Sequence, residues 1–217
     1  MEFCNLKLPN NNHYEGFVKK FSINNKKYIY RNGLGTMYIF SELNRYNFKH
    51  IGWWDNDQTN GLGICIYKNG DQYYGNFKNG KRCGWGKYIS HNYKYEGEWK
   101  SDMMHGYGQY INNNREVKNG HWKNDTFHDI IDSEVVSQLI NIKNLGDNSR
   151  PILNNIYDLS LNEKFSEIAI GSIVEVKSIN KIGFLLHTKS NGWCVVDFLD
   201  YPKMNLRAHD IKVILRP

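Results

Sequence analysis

The chain has 217 residues, 40% hydrophobic and 14% aromatic, with 19 glycines, 15 tyrosines, only 4 prolines and a formal net charge of +6. That length and apolar content support one or two compact units with real cores and exclude a disordered chain, and the few prolines argue against a long Pro-rich tether. The charge is uneven: residues 1–125 carry 18 Lys+Arg against 11 Asp+Glu, or +7, and residues 126–217 carry 10 against 11, or −1, so an anionic partner is expected to meet the N-terminal part. No apolar run reaches the roughly 20 residues of a membrane-spanning helix, and the start of the chain, with Glu2 and Asn5, has no signal-peptide core. Cys4, Cys65, Cys83 and Cys194 are scattered, without Cys-x-x-Cys or a Cys/His cluster, which predicts a reducing, cytoplasmic setting and no zinc site.

In chain order, Tyr14-Glu15-Gly16-Phe17 is followed by Gly33-Leu34-Gly35, and the meaning of that pair comes from the stretches after it. Gly52, Gly75, Gly97 and Gly120 stand 23, 22 and 23 residues apart, and each is followed two residues later by an aromatic, Trp54, Phe77, Trp99 or Trp122. Nine residues after each of the first three comes a Gly-x-Gly: Gly61-Leu62-Gly63, Gly84-Trp85-Gly86 and Gly106-Tyr107-Gly108. Asn79-Gly80 lies inside one unit and Asn69-Gly70 between two, as two-residue hairpin turns require, so each unit is expected to be a β-hairpin. Alternation then puts Tyr73, Gly75 and Phe77 on one face and Tyr74, Asn76 and Lys78 on the other, with Tyr95, Gly97 and Trp99 repeating the first set. The bare glycines are expected to leave room for large rings of the adjacent hairpin. In the first unit the step from Gly16 to Gly33 is 17 instead of nine, an insertion of eight residues, and in the last unit Phe127-His128-Asp129 replaces the glycine pair, as capped ends of a stack require.

Tyr95-Glu96-Gly97-Glu98-Trp99 followed by His105-Gly106-Tyr107-Gly108 resembles a membrane occupation and recognition nexus (MORN) repeat. Tyr73-Tyr74-Gly75-Asn76-Phe77 with Cys83-Gly84-Trp85-Gly86 keeps the frame, and His50-Ile51-Gly52-Trp53-Trp54 with Gly61-Leu62-Gly63 keeps it with histidine in place of the opening tyrosine. The resemblance covers residues 14–129 and implies an elongated, single-layer stack of four to five hairpins. It also implies a scaffold of the kind found at membranes, junctions or the cytoskeleton, with phosphoinositide binding proposed for the repeat.

Beyond the stack, Asp132 or Ser133 can cap an amphipathic helix built on Ile131, Val135 and Leu139, which Gly146 would stop. Such a helix either docks a partner or covers the open end of the stack. Residues 147–167 read as a connection held down by Ile152, Leu153, Ile156, Leu159 and Leu161, so that 130–167 forms a helix and docked connection. Residues 168–217 are expected to form a small β-barrel. Its strands lie near 173–176, 183–187, 193–198 and 211–215, the alternation of Val174/Val176 with Glu175/Lys177 and of Cys194/Val196/Phe198 with Val195/Asp197 gives one buried and one wet face, and Arg207-Ala208-His209-Asp210 resembles the short helical turn of SH3-like barrels. On such a barrel Trp193, Phe184 and Tyr201 are the rings available either for the core or for a binding rim, Tyr201 being the rim candidate.

The fold class is therefore mainly β, with one helix and a terminal SH3-like barrel. The chain contains no metalloprotease His-Glu-x-x-His, no phosphate-cradling Gly-x-x-x-x-Gly-Lys and no Gly-x-Ser-x-Gly elbow, and its Gly-x-Gly pairs do not open helices, so no enzyme, cofactor or metal is expected. A protein-binding scaffold is the first reading, with Tyr74, Trp85, Trp99, Tyr107 and Tyr201 as contact residues. The alternative is a peripheral membrane adaptor that sets Lys78, Lys81, Arg82, Lys87, Lys94 and Lys100 against anionic lipid, with Glu96 and Glu98 interrupting that basic stripe. Nucleic acid is not expected, because the barrel that would bind it is the acidic part, and a homodimer through an exposed end of the stack stays open.

Overall fold

The computed structural model describes residues 1–40, 46–128, 169–188 and 192–216. An eleven-stranded antiparallel sheet runs in strict sequence order: β1 (Glu2–Lys7), β2 (His13–Ile23), β3 (Lys26–Phe40), β4 (Tyr46–Asp55), β5 (Gln58–Ile66), β6 (Gln72–Lys78), β7 (Lys81–Ile89), β8 (Tyr93–Lys100), β9 (Met103–Asn112), β10 (Val117–Lys123) and β11 (Thr126–His128). Each unit is one hairpin, closed by two residues at positive φ: Asn56-Asp57, Asn79-Gly80, Ser101-Asp102 and Asn124-Asp125. Such mirror-image turns match the twist of the flanking strands, and Asn, Asp and Gly tolerate them best. The eight-residue insertion lengthens the β2–β3 hairpin, which turns at Asn24-Asn25. Strand β1, which carries no repeat signal, pairs with β2 and forms the first edge of the sheet.

One face of this sheet carries the rings that the alternation predicts. Tyr14, His50, Tyr73 and Tyr95, each two residues before a repeat glycine, are fully buried. Trp54, Phe77, Trp99 and Trp122, two residues after it, are at most 6% exposed and meet them edge to face. The glycines are needed for close approach. Gly75 faces Gly86 across the hairpin so tightly that a Cβ on Gly75 would lie 2.6 Å from the Gly86 Cα, and a Cβ on Gly86 would lie 2.2 Å from the Tyr73 hydroxyl. The ring that covers the bare backbone thus comes from the same hairpin, not the adjacent one as the sequence suggested. What the next hairpin supplies is a hydrogen bond: the Trp99 indole donates to the Gly86 carbonyl at 3.1 Å, as Trp54 does to Gly35 and Trp122 to Gly108. The leading glycine of each Gly-x-Gly sits in a bulge at positive φ, from Gly106 at 57° to Gly61 at 99°.

The second sheet has five antiparallel strands, β12 (Ile173–Val176), β13 (Lys181–Thr188), β14 (Trp193–Phe198), β15 (Met204–Arg207) and β16 (Ile211–Leu215), in the order β15-β14-β13-β12-β16. A 3₁₀ turn at Ala208–Asp210 precedes β16, where a helical turn was expected, whereas β15, directly after Pro202-Lys203, was not foreseen. The described pairings leave this sheet open, with β15 and β16 as its edges, so a closed barrel is not what they make. The predicted helix and connection, residues 130–167, lie outside the described residues.

The repeats are not a single layer throughout. Leu34, Ile51, Leu62, Ile64 and Tyr74, on the face opposite the ring ladder, form one buried cluster with Ile173, Phe184 and Leu199 of the C-terminal part. The face of the second sheet expected to be wet is therefore the docking face. Asp197 is 1% exposed, and its carboxylate takes Lys49 Nζ at 3.0 Å, the Thr36 hydroxyl at 3.3 Å and its own neighbour's amide, Phe198 N, at 2.9 Å. Lys49 also donates to the Phe198 carbonyl. The opposite face of the second sheet encloses its own cluster of Val174, Val176, Leu185, Cys194, Val196, Phe198, Leu206 and Ile211.

Candidate functional site

The ring ladder is overlaid by a second periodic motif that the sequence reading missed. Arg31 lies two residues before Gly33, and its guanidinium stacks 4.5 Å above the Trp54 ring. Asp57, the second turn residue of the next hairpin, holds it: Arg31 Nε meets Asp57 Oδ1 at 3.0 Å, Arg31 N donates to the same oxygen at 2.9 Å, and Asp57 N donates to the Arg31 carbonyl at 3.1 Å. Arg82, Trp99 and Asp102 repeat this arrangement, with 4.2 Å to the ring and 3.2 Å to the carboxylate. At the end of the sheet Met104 and Asp125 keep only the backbone part, Met104 N donating to Asp125 Oδ1 at 2.7 Å. Each guanidinium thus donates once to the carboxylate and once, through Nη2, to the same aspartate's backbone carbonyl, at 3.0 Å for Arg31 and 2.7 Å for Arg82, and adds cation–π attraction to the indole beneath it.

The middle unit breaks the pattern. Thr59 stands at the arginine position, Gly80 at the aspartate position and Phe77 at the tryptophan position, and only the Gly80 N to Thr59 O hydrogen bond, 3.0 Å, survives. With no guanidinium to cover the ring, an open groove of about 1100 Å³ forms, lined among others by Phe48, Tyr67, Phe77, Tyr88, Thr59 and Gly80. Asp57 and Asp102 stand in its lining with Arg82 and Lys68. The Thr59 hydroxyl is buried there and has no hydrogen-bond partner among the described residues, an arrangement that costs free energy unless something satisfies it. The signal was in the sequence: an Arg two residues before Gly33 and Gly84, an Asp five residues after Gly52 and Gly97, and neither in the unit between.

The expected contact residues are spread over several surfaces. Tyr74 is buried under the second sheet with its hydroxyl donating to Gln72 Oε1, and Trp99 is buried beneath Arg82, so neither reaches solvent. Trp85 and Tyr107 lie on the face away from the ladder, Trp85 half-buried and Tyr107 exposed with its ring edge to His121 at 5.7 Å. Tyr201 is exposed beside Phe198, and Phe184 belongs to the core between the sheets. Arg207 stacks over Trp193 at 4.3 Å. Of the basic residues, Lys78, Lys81, Lys94 and Lys100 are exposed, whereas Lys87 is paired with Glu96 at 3.3 Å and Arg82 is held by Asp102. Lys123, which the sequence reading left out, continues the row of Lys78 and Lys100, each three residues after a repeat glycine.

Burial pushes the Cys65 thiol up to about 12 and also raises Cys83 and Cys194, so these three stay protonated and unreactive at neutral pH. Among the described residues no three His, Cys, Asp or Glu side chains come together to hold a metal ion, and no helix is long and apolar enough to cross a membrane.

No curated protein matches the chain. The MORN repeat model matches it at residues 50–72, 73–93 and 95–115, each match opening at or beside a buried ring, His50, Tyr73 or Tyr95. The MORN repeat is not an enzyme family. The hairpins from residue 50 to residue 115, with their Tyr/His ring slots, paired glycines and stacked turns, are thus three consecutive MORN repeats.

Proposed function

We propose that the protein is a non-catalytic scaffold that holds an extended segment of a protein partner in the groove over Phe77. One observation carries the reading: the Arg–Asp fork that seals the ring face in the flanking units is missing at Thr59 and Gly80, leaving an aromatic-walled groove with an unsatisfied hydroxyl. Rings that are rigid and partly apolar anchor partner side chains at low entropic cost, and Thr59 gives the partner's backbone or a polar side chain a hydrogen-bonding group. The second sheet acts in this scheme as a brace for β3–β6, with Tyr201 its exposed ring.

The test is to rebuild the fork. Thr59→Arg with Gly80→Asp copies Arg82 and Asp102, and the aspartate would sit at positive φ as Asp57 and Asp102 do. The double variant is expected to unfold no earlier than wild type yet to lose its partner, captured beforehand by photo-crosslinking from position 69 and identified from the cross-linked peptide. A partner held equally well by the sealed protein would place binding elsewhere. Lipid binding through Lys78, Lys81, Lys94 and Lys100 remains the second reading; it is weaker than the sequence suggested because Lys87 and Arg82 are engaged within the protein.

A further inference from the structure

The eight inserted residues of the first unit build a feature the other hairpins lack. In the β4–β5 hairpin the pair Asp55↔Gln58 is followed at once by the turn, whereas β2 and β3 run on through Lys20↔Ile29, Phe21↔Tyr28, Ser22↔Lys27 and Ile23↔Lys26. At about 3.3 Å per residue these four pairs carry the ribbon roughly 13 Å beyond the other hairpin tips. Neither neighbour accompanies it, since β1 stops pairing at Val18 and β4 at Gly33.

Alternation places Lys19, Phe21 and Ile23 with Lys26, Tyr28 and Tyr30 on one face of the ribbon. Phe21 stacks on Tyr28 at 5.5 Å and on Tyr30 at 5.3 Å, yet Phe21, Tyr28 and Ile23 are 36%, 37% and 54% exposed, and Ile29 on the other face is 45% exposed. A two-stranded ribbon with this much bare apolar surface is poorly suited to water alone. Its charge is one-sided: residues 17–31 hold Lys19, Lys20, Lys26, Lys27 and Arg31 and no acid. Lys20 pairs with Glu2 and Arg31 with Asp57, while Lys19, Lys26 and Lys27 have no acidic partner among the described residues.

We propose that this overhanging hairpin, residues 19–30, docks the protein on an anionic bilayer surface. Rings and isoleucines enter the headgroup region, where aromatic side chains are favoured, and the lysine stems lie along the same surface with their ammonium groups on lipid phosphate and carboxylate. A nucleic acid would satisfy the lysines but offers nothing to Ile23 and Ile29. The site differs from the basic residues of the matched repeats and is independent of the groove over Phe77.

Co-sedimentation with phosphatidylcholine vesicles, with and without phosphatidylserine, tests this on the full chain. Wild type is expected to bind only the anionic vesicles and to release them as salt rises. Lys19→Glu, Lys26→Glu and Lys27→Glu together should weaken partitioning on the order of a hundredfold or more. Replacing residues 20–29 with Asn-Gly, the length at which neighbouring hairpins close, should abolish it with thermal unfolding unchanged, while Lys78→Glu with Lys100→Glu and the groove-sealing double variant should leave it intact. Undiminished vesicle binding by the shortened protein overturns the proposal. So does a wild type that ignores both vesicle types, including one whose hairpin instead holds a second copy, seen as a dimer that shortening dissociates.

Discussion

Residues 34–74 and residues 85–122 belong to one sheet and repeat one frame, yet they solve the problem of burial differently. The residue inside each Gly-x-Gly is Leu34, Leu62, Trp85 and Tyr107, the one after each Gly-x-Gly is Thr36, Ile64, Lys87 and Gln109, and their partners on the next strand, just before Gly52, Gly75, Gly97 and Gly120, are Ile51, Tyr74, Glu96 and Asn119. The ring face hardly changes along the sheet. The opposite face switches at β7 from mainly apolar to mainly polar, and the second sheet covers the mainly apolar part. The repeat frame thus specifies the fold through one face and leaves the other free to say where something docks.

The sharpest way to break the difference is to remove what fastens the covered half. Lys49 and Asp197 are 6% and 1% exposed, and the carboxylate also serves Thr36 and Phe198 N. Asp197→Ala leaves the Lys49 ammonium buried without its partner, for which a loss of about 3 to 5 kcal/mol is expected in chemical denaturation. Asp197→Leu with Lys49→Met should restore much of that, because an apolar pair removes both desolvation costs at once. Equal losses in the single and double variants would show that the ion pair does not fasten the sheets.

A smaller effect sharpens the other side of the comparison, since the uncovered half depends on the ring face alone. Gly86→Ala would push a Cβ to 2.2 Å from the Tyr73 hydroxyl, and Tyr73 cannot yield because its own hydroxyl donates to Asn76 O at 3.0 Å inside a full cluster. Overpacking of this kind should cost about 2 to 3 kcal/mol. Gly70, at φ +86° with open space around it, should lose less on the same change, chiefly through backbone strain. Thermal unfolding of the two variants side by side would reveal an undiminished Gly86→Ala if the paired glycines were mere frequency and not fit.

The ring face was legible because periodicity is a sequence property: Tyr73, Gly75 and Phe77, and again Tyr95, Gly97 and Trp99, could be placed on one surface from spacing alone. The hairpin insertion was legible for the same reason, as a step of 17 among steps of nine. What spacing could not give was occupancy. Asp197 alternates as a solvent-facing residue should, and only the distant Lys49 and Thr36 turn it into a buried one, a relation that spans 148 and 161 residues of chain. The groove lay between the two cases. Its residues were periodic, but it is marked by side chains that fail to recur, and Thr59 and Gly80 carry meaning only beside the Arg–Asp pairs on either side.

His50 offers the finest test, because one unit of the ring face has a different ring. It fills the slot that Tyr14, Tyr73 and Tyr95 fill, but where their hydroxyls reach the carbonyl of the third residue on, both its ring nitrogens are buried without a hydrogen bond among the described residues. Burial, and secondarily the nearby Arg31 charge, hold its pKa down to about 3. The folded state therefore keeps His50 neutral while the unfolded chain takes up a proton near pH 6.5. Stability from this residue is complete above pH 6.5 and is lost as pH falls from there toward about 3, at up to about 1.4 kcal/mol per pH unit, or about 2 kcal/mol by pH 5. His50→Phe should remove that slope relative to wild type. His50→Tyr should remove it and, by giving the Trp53 carbonyl a hydroxyl donor, raise the melting temperature as well. Parallel pH–stability curves for wild type and both variants would mean that His50 is solvated in solution and that this unit is packed less tightly than its neighbours.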